Sequence, residues 1–505
     1  MSTPPLQPAI FLDRDGTLIE DRGYLRSPSE VIFHGDTFSA LEKLEGRFLL
    51  IIITNQSGIG LGIVTPEEVE EVNRAIVSRL AQAGVTISAV YTCPHTREQG
   101  CDCFKPKPLL LERAAGQFRI DLSKSFAVGD HPHDAEMGRS LGVEGIFLLT
   151  GHGQKHVHEL KDRGRVFVAR NLDEAVTWIL LRDSQRDNLH RAAEILRKGG
   201  IVAFPTETVY GLGADAFQPL AVARIFEAKK RPSFDPLIVH VGRPSDLEKL
   251  VVNVPPAARK LIDHFWPGPL TIVLEKRETV PDIVTAGLPT VAVRMPSHPL
   301  AFHLLEESNC PIAAPSANPF GYLSPTTAEH VREQLGDQVD LVLDGGPCQV
   351  GVESTILSLA EEMPRLLRPG GLALEEIEST IGPVRVETTH DERPLAPGRL
   401  ERHYAPRTPM VIKDDKRSSE PYPGKRVGRL AFCEGQNAQG VQYVEVLSET
   451  GDLREAAANL FAAIRKLDRL NLDLIVADPI PEIGLGRAIM DRLRRASWKP
   501  EDRKQ

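Results

Sequence analysis

Short apolar runs alternate with stretches of helical periodicity over residues 9–180. AIFLD, FLLIIIT, ISAVY and SFAVGD have strand length and are too continuously apolar for a strand with one wet face, so they predict buried parallel strands. TPEEVEEVNRAIVSRLAQAG predicts a helix: Thr65 caps it, Pro66 takes its first position and Glu68 completes a capping box. Val69, Val72, Ile76 and Leu80 form its apolar stripe and Gly84 ends it. The alternation predicts an α/β, doubly wound, Rossmann-like N-terminal domain. The polar run LRDSQRDN (181–188) reads as a linker, and residues 189–385 mix strands and helices with many Gly and Pro. THDERPLAPGRLERHYAPRTP (389–409) reads as a second linker, followed by a compact α/β module to about residue 497. The expected division is 1–182, 183–388, a linker at 389–408, and 409–505.

Composition adds limits. A chain of 505 residues, 41% hydrophobic and 26% charged, is ordinary for about three folded domains. The net charge of −9 argues against bulk attraction to nucleic acid. No apolar run approaches the roughly 18 residues of a membrane helix, and MSTPPLQPAI lacks a basic region followed by an apolar block. Cys310, Cys348 and Cys433 are scattered, which is no disulfide framework. A cytoplasmic protein with no membrane partner is expected.

The chemistry concentrates at strand ends. FLDRDGTL closes an apolar run with Asp13 and Asp15, a pattern that suits a turn, a Mg²⁺ site, or a nucleophile with its acid. A calcium loop does not fit, because glycine falls at the fourth loop position and Tyr24 stands where the final glutamate belongs. FLLIIITN ends in Thr54 and Asn55, and SFAVGDHPHD ends in Asp130, with Asp134 one turn on. Ligands of open parallel sheets bind beyond the carboxyl ends of the strands, so Asp13, Thr54 and Asp130 should converge. Asp13 and Asp130 would hold Mg²⁺ there, and Lys105 would neutralise a phosphate. Cys93-x-His95 and Cys101-x-Cys103 offer three thiolates and an imidazole, a closed set for a structural tetrahedral Zn²⁺ that pins the loop and places Lys105.

The motifs DRDGT, TN, the Lys105 region and GDHPHD together resemble the haloacid dehalogenase phosphatase superfamily. The resemblance implies that Asp13 attacks phosphorus and that Asp15 protonates the leaving group and then activates water. It implies that Thr54 and Lys105 hold phosphoryl oxygens, while Asp13, the Asp15 backbone carbonyl and Asp130 bind Mg²⁺. DRDGT, TNQSGIG, CPH and CDC-x-KPKP are similar to the subfamily that hydrolyses heptose bisphosphate and histidinol phosphate. The five-residue spacing in the cysteine loop is more like the histidinol-phosphate type, while TNQSGIG followed by LGIVT is more like the heptose type. Phe104 stands where those families carry arginine, the natural bidentate phosphate ligand. The substrate is expected to be a sugar or other small phosphomonoester, heptose 1,7-bisphosphate first; a catalytically idle docking module is the rival.

A second set runs through IVAFPTETVYGLG, EAKKRPSFDPLIVHV, FWPGPLTIVL, VAVRMPSHPL, APSANPFG, GVESTIL and LRPGG. Taken alone, AKKR is a solvated helix end and His240 a core histidine. No Walker A motif and no strand-following G-x-G-x-x-G is present. The ordered set closely resembles the YrdC-type threonylcarbamoyl-AMP synthases. That resemblance implies L-threonine, bicarbonate and ATP as substrates, with Mg²⁺ accompanying ATP, and a product passed to the tRNA threonylcarbamoyl-transfer machinery. Lys229 and Arg231 would neutralise triphosphate and carboxylate charge. Thr206, His240 and Ser354 would line the threonine and carbamate region, and Ser316, Asn318, Arg294 and Arg368 would contact nucleotide or phosphate. RHYAP and the residues after it are similar to the linker and C-terminal domain of the long-form synthases, in which His403 and Tyr404 would form a lid; a plain Pro-rich linker is the alternative. A middle domain that chiefly binds RNA is the rival reading.

Overall fold

A computed structural model describes residues 6–162, 166–386, 403–413, 424–433 and 441–497. The chain divides between Ser184 and Gln185 into two compact units.

The first unit is built on a six-stranded, wholly parallel sheet. Its strands are β1 (Ala9–Leu12), β2 (Leu49–Asn55), β3 (Ile87–Cys93), β4 (Phe126–Gly129), β5 (Glu144–Leu148) and β6 (Phe167–Ala169). Their order is β3-β2-β1-β4-β5-β6, so β1 lies centrally between β2 and β4. All four residues of β1 are buried, as its unbroken apolar run requires. The helix Pro66–Gln82 starts from the expected capping box: Thr65 Oγ accepts from the Glu68 amide at 3.2 Å and a Glu68 carboxylate oxygen from the Thr65 amide at 2.8 Å. Val69, Val72, Ile76 and Leu80 face the core, and Gly84 makes the exit at φ +83°.

Residues 181–188, read from sequence as a linker, are mostly helical. One helix runs Leu172–Ser184 and the next Arg186–Arg197, with Gln185 at the break. Val176 and Ile179 bury the first helix, and Leu189, Ala192 and Leu196 the second. The polar residues between them are the partly exposed ends of two amphipathic helices; the division of the chain falls inside the segment, at a helix break and not in a loop.

The second unit holds two sheets. The larger, mixed one has ten strands among the described residues, in the order β13-β7-β8-β12-β9-β11-β10-β14-β15-β16. These are β7 (Val202–Phe204), β8 (Gly211–Asp215), β9 (Ile238–His240), β10 (Leu270–Glu275) and β11 (Thr290–Arg294). The remainder are β12 (Ile312–Ala314), β13 (Leu341–Val342), β14 (Thr355–Ser358), β15 (Arg365–Arg368) and β16 (Arg385–Val386). The smaller sheet is parallel and comprises β17 (Met410–Ile412), β18 (Val427–Ala431), β19 (Tyr443–Val446) and β20 (Leu474–Ala477), ordered β17-β20-β18-β19. Its helices Leu453–Asp468 and Gly486–Ala496 share an apolar core with Val209, Leu323, Val352 and Tyr404. Of the segment read as the second linker, residues 389–402 lie outside the described residues.

Candidate active sites

The centre of the first unit forms where β1, β2 and β4 end. The Asp13 amide donates to the Val128 carbonyl at 2.9 Å, which locks the turn after β1 beside β4. Asp13, Asp130 and Asp134 each bring one carboxylate oxygen within 4.8 Å of the others. Lys105 reaches into this triad: its Nζ lies 2.5 Å from Asp13 Oδ1 and 2.5 Å from Asp134 Oδ1, and it donates to the Ile53 carbonyl at 3.0 Å. The Lys105 amide is tied to Asn55 Oδ1 at 3.2 Å. Gly16 and Gly151 close the walls: a Cβ on either would lie 2.1 Å from Asp130 Oδ2. That same oxygen accepts from the His152 amide at 2.6 Å.

Three buried carboxylates against one ammonium leave an excess of negative charge. Burial raises Asp13 to about 6, with Asp134 adding to the rise and Lys105 opposing it. Burial, then Asp13 and Asp134, push Asp130 up to about 8. Burial draws Lys105 down, but the two carboxylates outweigh it and the ammonium is held above its ordinary range. An oxygen set so crowded and so negative fits a hard divalent cation.

The Asp15 carboxylate stands outside this triad. It is gripped by Arg14 Nε at 2.9 Å and by Gln56 Nε2 at 2.8 Å, and Gln56 also donates to Thr54 Oγ at 2.8 Å. Arg14 is itself buried and donates to Asn73 Oδ1 at 2.8 Å. Asp15 is thus aimed by a network that runs to the helix Pro66–Gln82. Sequence reasoning missed Arg14, Gln56 and Asn73. The sequence signals were an arginine between two aspartates and an asparagine within an apolar helix stripe.

The cysteine loop leaves β3 beside this centre. Cys93, His95, Cys101 and Cys103 bring their donor atoms within 4.8 Å of one another. Cys103 Sγ lies 3.2 Å from Cys93 Sγ, 3.4 Å from Cys101 Sγ and 3.3 Å from His95 Nδ1, and Cys93 to Cys101 is 3.7 Å. A tetrahedron with metal–sulfur bonds of about 2.3 Å has edges of about 3.8 Å, so the four donors fit one zinc-sized ion with slight expansion. Phe104 packs with Cys101 and Cys103 against the apolar core.

In the second unit a cavity of about 50 Å³ opens among β8, β9, β11 and the turns around them. Nine of the residues singled out from sequence line it: Thr206, Arg231, His240, Arg294, Ser316, Ser354, Arg368, His403 and Tyr404. The cations are braced from behind. Arg231 pairs with Asp235 at 2.8 Å, and Arg294 pairs with Glu207 at 2.7 Å and donates to Thr208 Oγ at 2.9 Å. Arg368 donates to the Ser354 carbonyl at 2.9 Å, and Ser354 Oγ is 2.8 Å from Thr271 Oγ. His240 is driven to about 3 by burial and by Arg294, so its imidazole is neutral.

Lys229 and Asn318 are not among the lining residues. Lys229 Nζ donates to the Ser316 carbonyl at 2.6 Å and to the Asn318 carbonyl, and Asn318 Nδ2 donates to the Tyr322 carbonyl at 2.8 Å. Burial, reinforced by Arg231, holds Lys229 well below its ordinary range. Both residues shape the turn that presents Ser316.

His403 and Tyr404 are buried across the cavity. The His403 ring stands 5.9 Å from Phe320, and the Ala405 amide donates to the Gly321 carbonyl at 2.9 Å. The Tyr404 ring lies 5.0 Å from the Arg492 guanidinium. Arg492 Nε donates to Glu353 Oε2 at 2.7 Å, and Glu353 lines the cavity.

Comparison with known proteins places the parts of the chain that carry these centres in families. A family model described as "Telomere recombination" matches residues 194–370, and one described as "Threonylcarbamoyl-AMP synthase, C-terminal domain" matches 372–497. A threonylcarbamoyl-AMP synthase of Bacillus subtilis is 46% identical over 318 residues, covering 61% of this chain and 92% of that protein. The chain belongs to the threonylcarbamoyl-AMP synthases. The crystal structure of Pyrococcus abyssi Sua5 complexed with L-threonine superposes on this synthase with a TM-score of 0.58 at 46% identity, covering 61% of this chain and 94% of that one. The synthase carries in addition a haloacid dehalogenase-like phosphatase domain. A HAD-hydrolase-like model matches residues 102–175. A probable D-glycero-D-manno-heptose-1,7-bisphosphate 7-phosphatase of Thermoplasma acidophilum is 39% identical over 145 residues, 28% of this chain and 89% of that protein.

Glu353 and Thr208 are the cavity-lining residues with polar side chains that sequence reasoning passed over. Each lies inside a quoted motif, GVEST and PTETVYG, beside a residue that was chosen. Among the described residues no helix is long and apolar enough to cross a membrane.

Proposed function

We propose that the synthase cavity makes L-threonylcarbamoyl-AMP from L-threonine, bicarbonate and ATP, for threonylcarbamoyladenosine in tRNA, in the cytoplasm. The observation that carries this reading is the convergence of Arg231, Arg294 and Arg368 with Thr206, Ser316 and Ser354 around one cavity. Threonine's amine and bicarbonate condense to a carbamate with loss of water. A carbamate oxygen then attacks the α-phosphorus of ATP; the bond to the bridging oxygen breaks and pyrophosphate leaves. The guanidinium groups bind the anionic groups, and their carboxylate and carbonyl partners fix their directions beforehand. Neutral His240 and the hydroxyls of Thr206 and Ser354 orient threonine and the carbamate without adding charge. His403 and Tyr404 are buried across the cavity, and in this reading their segment acts as a lid that lifts for substrates. Pyrophosphate release that requires all three substrates is the expected result; release independent of threonine would sink the reading.

The phosphatase centre is assigned to a phosphomonoester of the heptose bisphosphate type. Asp13 is the nucleophile and Lys105 holds it ionised and in place. Asp15, aimed by Arg14 and Gln56, gives a proton to the leaving oxygen and later takes one from water. Thr54 and Lys105 receive the phosphoryl oxygens. Asp13, Asp130 and the Asp15 backbone carbonyl would hold Mg²⁺, with Asp134 beside them, and the ion would neutralise phosphoryl charge. Support for the heptose class comes from the Thermoplasma acidophilum relative. Phe104 packs into the core and brings no charge to the mouth. Heptose 1,7-bisphosphate and histidinol phosphate should therefore be offered in parallel to the full chain. Faster phosphate release from the heptose is expected, and preference for histidinol phosphate would overturn the assignment.

Cys93, His95, Cys101 and Cys103 would hold structural zinc. Elemental analysis should find about one zinc per chain, falling below half in Cys103→Ser. Phosphate release should fall with it, because Lys105 follows Cys103 by two residues, while synthase turnover of the same sample stays constant. Full phosphatase activity in a zinc-free preparation would show that the loop needs no metal.

A further inference from the structure

A second and much larger cavity, of about 860 Å³, lies in the second unit away from the catalytic lining. It is framed by the turn after Asn318, the start of the C-terminal sheet and the end of the helix Leu453–Asp468. Three guanidinium groups face it: Arg407, Arg465 and Arg469. The two carboxylates that also face it, Glu333 and Asp468, already have partners. Asp468 accepts from the Tyr322 hydroxyl at 2.7 Å and from the Thr408 amide at 2.7 Å, and Glu333 pairs with Arg469.

Arg407 and Arg465 are different. Neither forms an ion pair with a carboxylate among the described residues, yet both guanidiniums approach one ring, Tyr322, at 5.9 and 5.5 Å. Arg465 is buried: an Nη donates to the Leu323 and Ser324 carbonyls at 3.2 and 3.3 Å, while its Nε has no acceptor there. Arg407 is exposed at the rim, and Arg469 is half-exposed. Two like charges held against one aromatic ring, one of them buried, leave a positive field that a counter-anion would relieve. Nearby His330 registers that field: burial, then Arg465, pull it down to about 4 against the opposing Glu333.

We propose that this cavity is a binding site for a small polyphosphate anion, inorganic or nucleotide, separate from the catalytic cavity. Its volume lies in the range of small-molecule sites and exceeds what a lone phosphate needs. The Arg407 guanidinium at the rim suits phosphate oxygens, with the Arg469 guanidinium beside it shared with Glu333 and the Arg465 charge buried behind them. The same two chain segments serve both cavities. The turn at 316–322 gives Ser316 to the catalytic cavity and Pro319 and Tyr322 to the second. The segment from 403 gives His403 and Tyr404 to the first and Arg407 and Thr408 to the second. An anion seated on Arg407 therefore biases the position of the lid residues three and four places earlier in the chain.

The test uses the full chain and calorimetric titration with tripolyphosphate and with ADP in parallel, without added Mg²⁺. Two binding events are expected, one of which weakens by about tenfold or more in the Arg407→Gln/Arg469→Gln double variant. Both positions lie outside the catalytic lining, so that variant should keep threonine-dependent pyrophosphate release at low anion concentration while losing its response to added tripolyphosphate. Equal affinities for the two probes would identify the phosphate chain as the recognised group; tighter ADP binding would identify a nucleotide. Both outcomes support the site. Titrations that the double variant leaves unchanged, a single event confined to the catalytic cavity, or binding of RNA with no binding of either small anion would overturn it.

Discussion

Replacing Asp13 with asparagine is expected to lower phosphate release from the full chain by about 10⁴-fold or more. An amide cannot act as the nucleophile, and no neighbour can substitute: Asp130 accepts from the His152 amide and Asp134 is paired with Lys105. The fold should survive, because Lys105 keeps Asp134 at 2.5 Å and the Ile53 carbonyl at 3.0 Å. Loss of one of three crowded carboxylates also relieves repulsion, so the melting temperature should hold or rise slightly. Lys105→Ala is the worse probe, since it would leave Asp13 and Asp134 buried and facing each other without a cation. Synthase turnover, measured in the same preparation, is the internal control. An Asp13→Asn protein that keeps a tenth of the phosphate release would remove Asp13 from the nucleophile's role.

That experiment rests on residues that were legible in the sequence, for a physical reason. Asp13, Thr54 and Asp130 each end an apolar run, and in a parallel sheet run ends are gathered on one edge. The helix Pro66–Gln82 was equally legible, because capping and periodicity are local properties. Local patterns do not report partners distant in sequence. Nothing near Asn73 indicates that it would meet Arg14, 59 residues away, nor does the sequence around Arg492 point to Glu353, 139 residues away. The resemblance implied that Lys229 neutralises triphosphate charge; its Nζ donates to the Ser316 and Asn318 carbonyls, contacts that no local pattern announces. The segment 181–188 contains the division of the chain but is mostly helical, because a polar helix end and a polar loop share a composition.

The second large effect is expected at Arg492. This guanidinium comes from the helix Gly486–Ala496, is almost fully buried, and is the ion-pair partner of Glu353 in the catalytic lining. It also donates to the Pro369 carbonyl at 3.0 Å and stands 5.0 Å from the Tyr404 ring. Arg492→Met keeps the bulk and deletes the charge, leaving the Glu353 carboxylate buried with the Ser324 hydroxyl at 2.5 Å as its close donor. A loss of about 3–5 kcal/mol is expected for the second unit in denaturant unfolding at pH 7. Threonine-dependent pyrophosphate release should fall too, since Tyr404 loses its contact. Two further measurements separate lost charge from lost packing. Burial alone would raise Glu353, but Arg492 and then Arg368 outweigh it and hold the folded carboxyl below its ordinary range. In the parent chain that stabilisation is therefore present above the ordinary glutamate range and lost as pH falls through the lower folded value. In Arg492→Met burial is no longer outweighed by that partner, the folded value rises, and the penalty felt at neutral pH is relieved on acidification. The stability gap between parent and variant should accordingly narrow as pH is lowered from 7 toward about 4. Adding Glu353→Gln to Arg492→Met should recover a substantial part of the loss, because it removes the stranded charge. A gap that stays constant with pH and is not reduced by Glu353→Gln would mean that Arg492 acts through its packing on Tyr404 and not through Glu353.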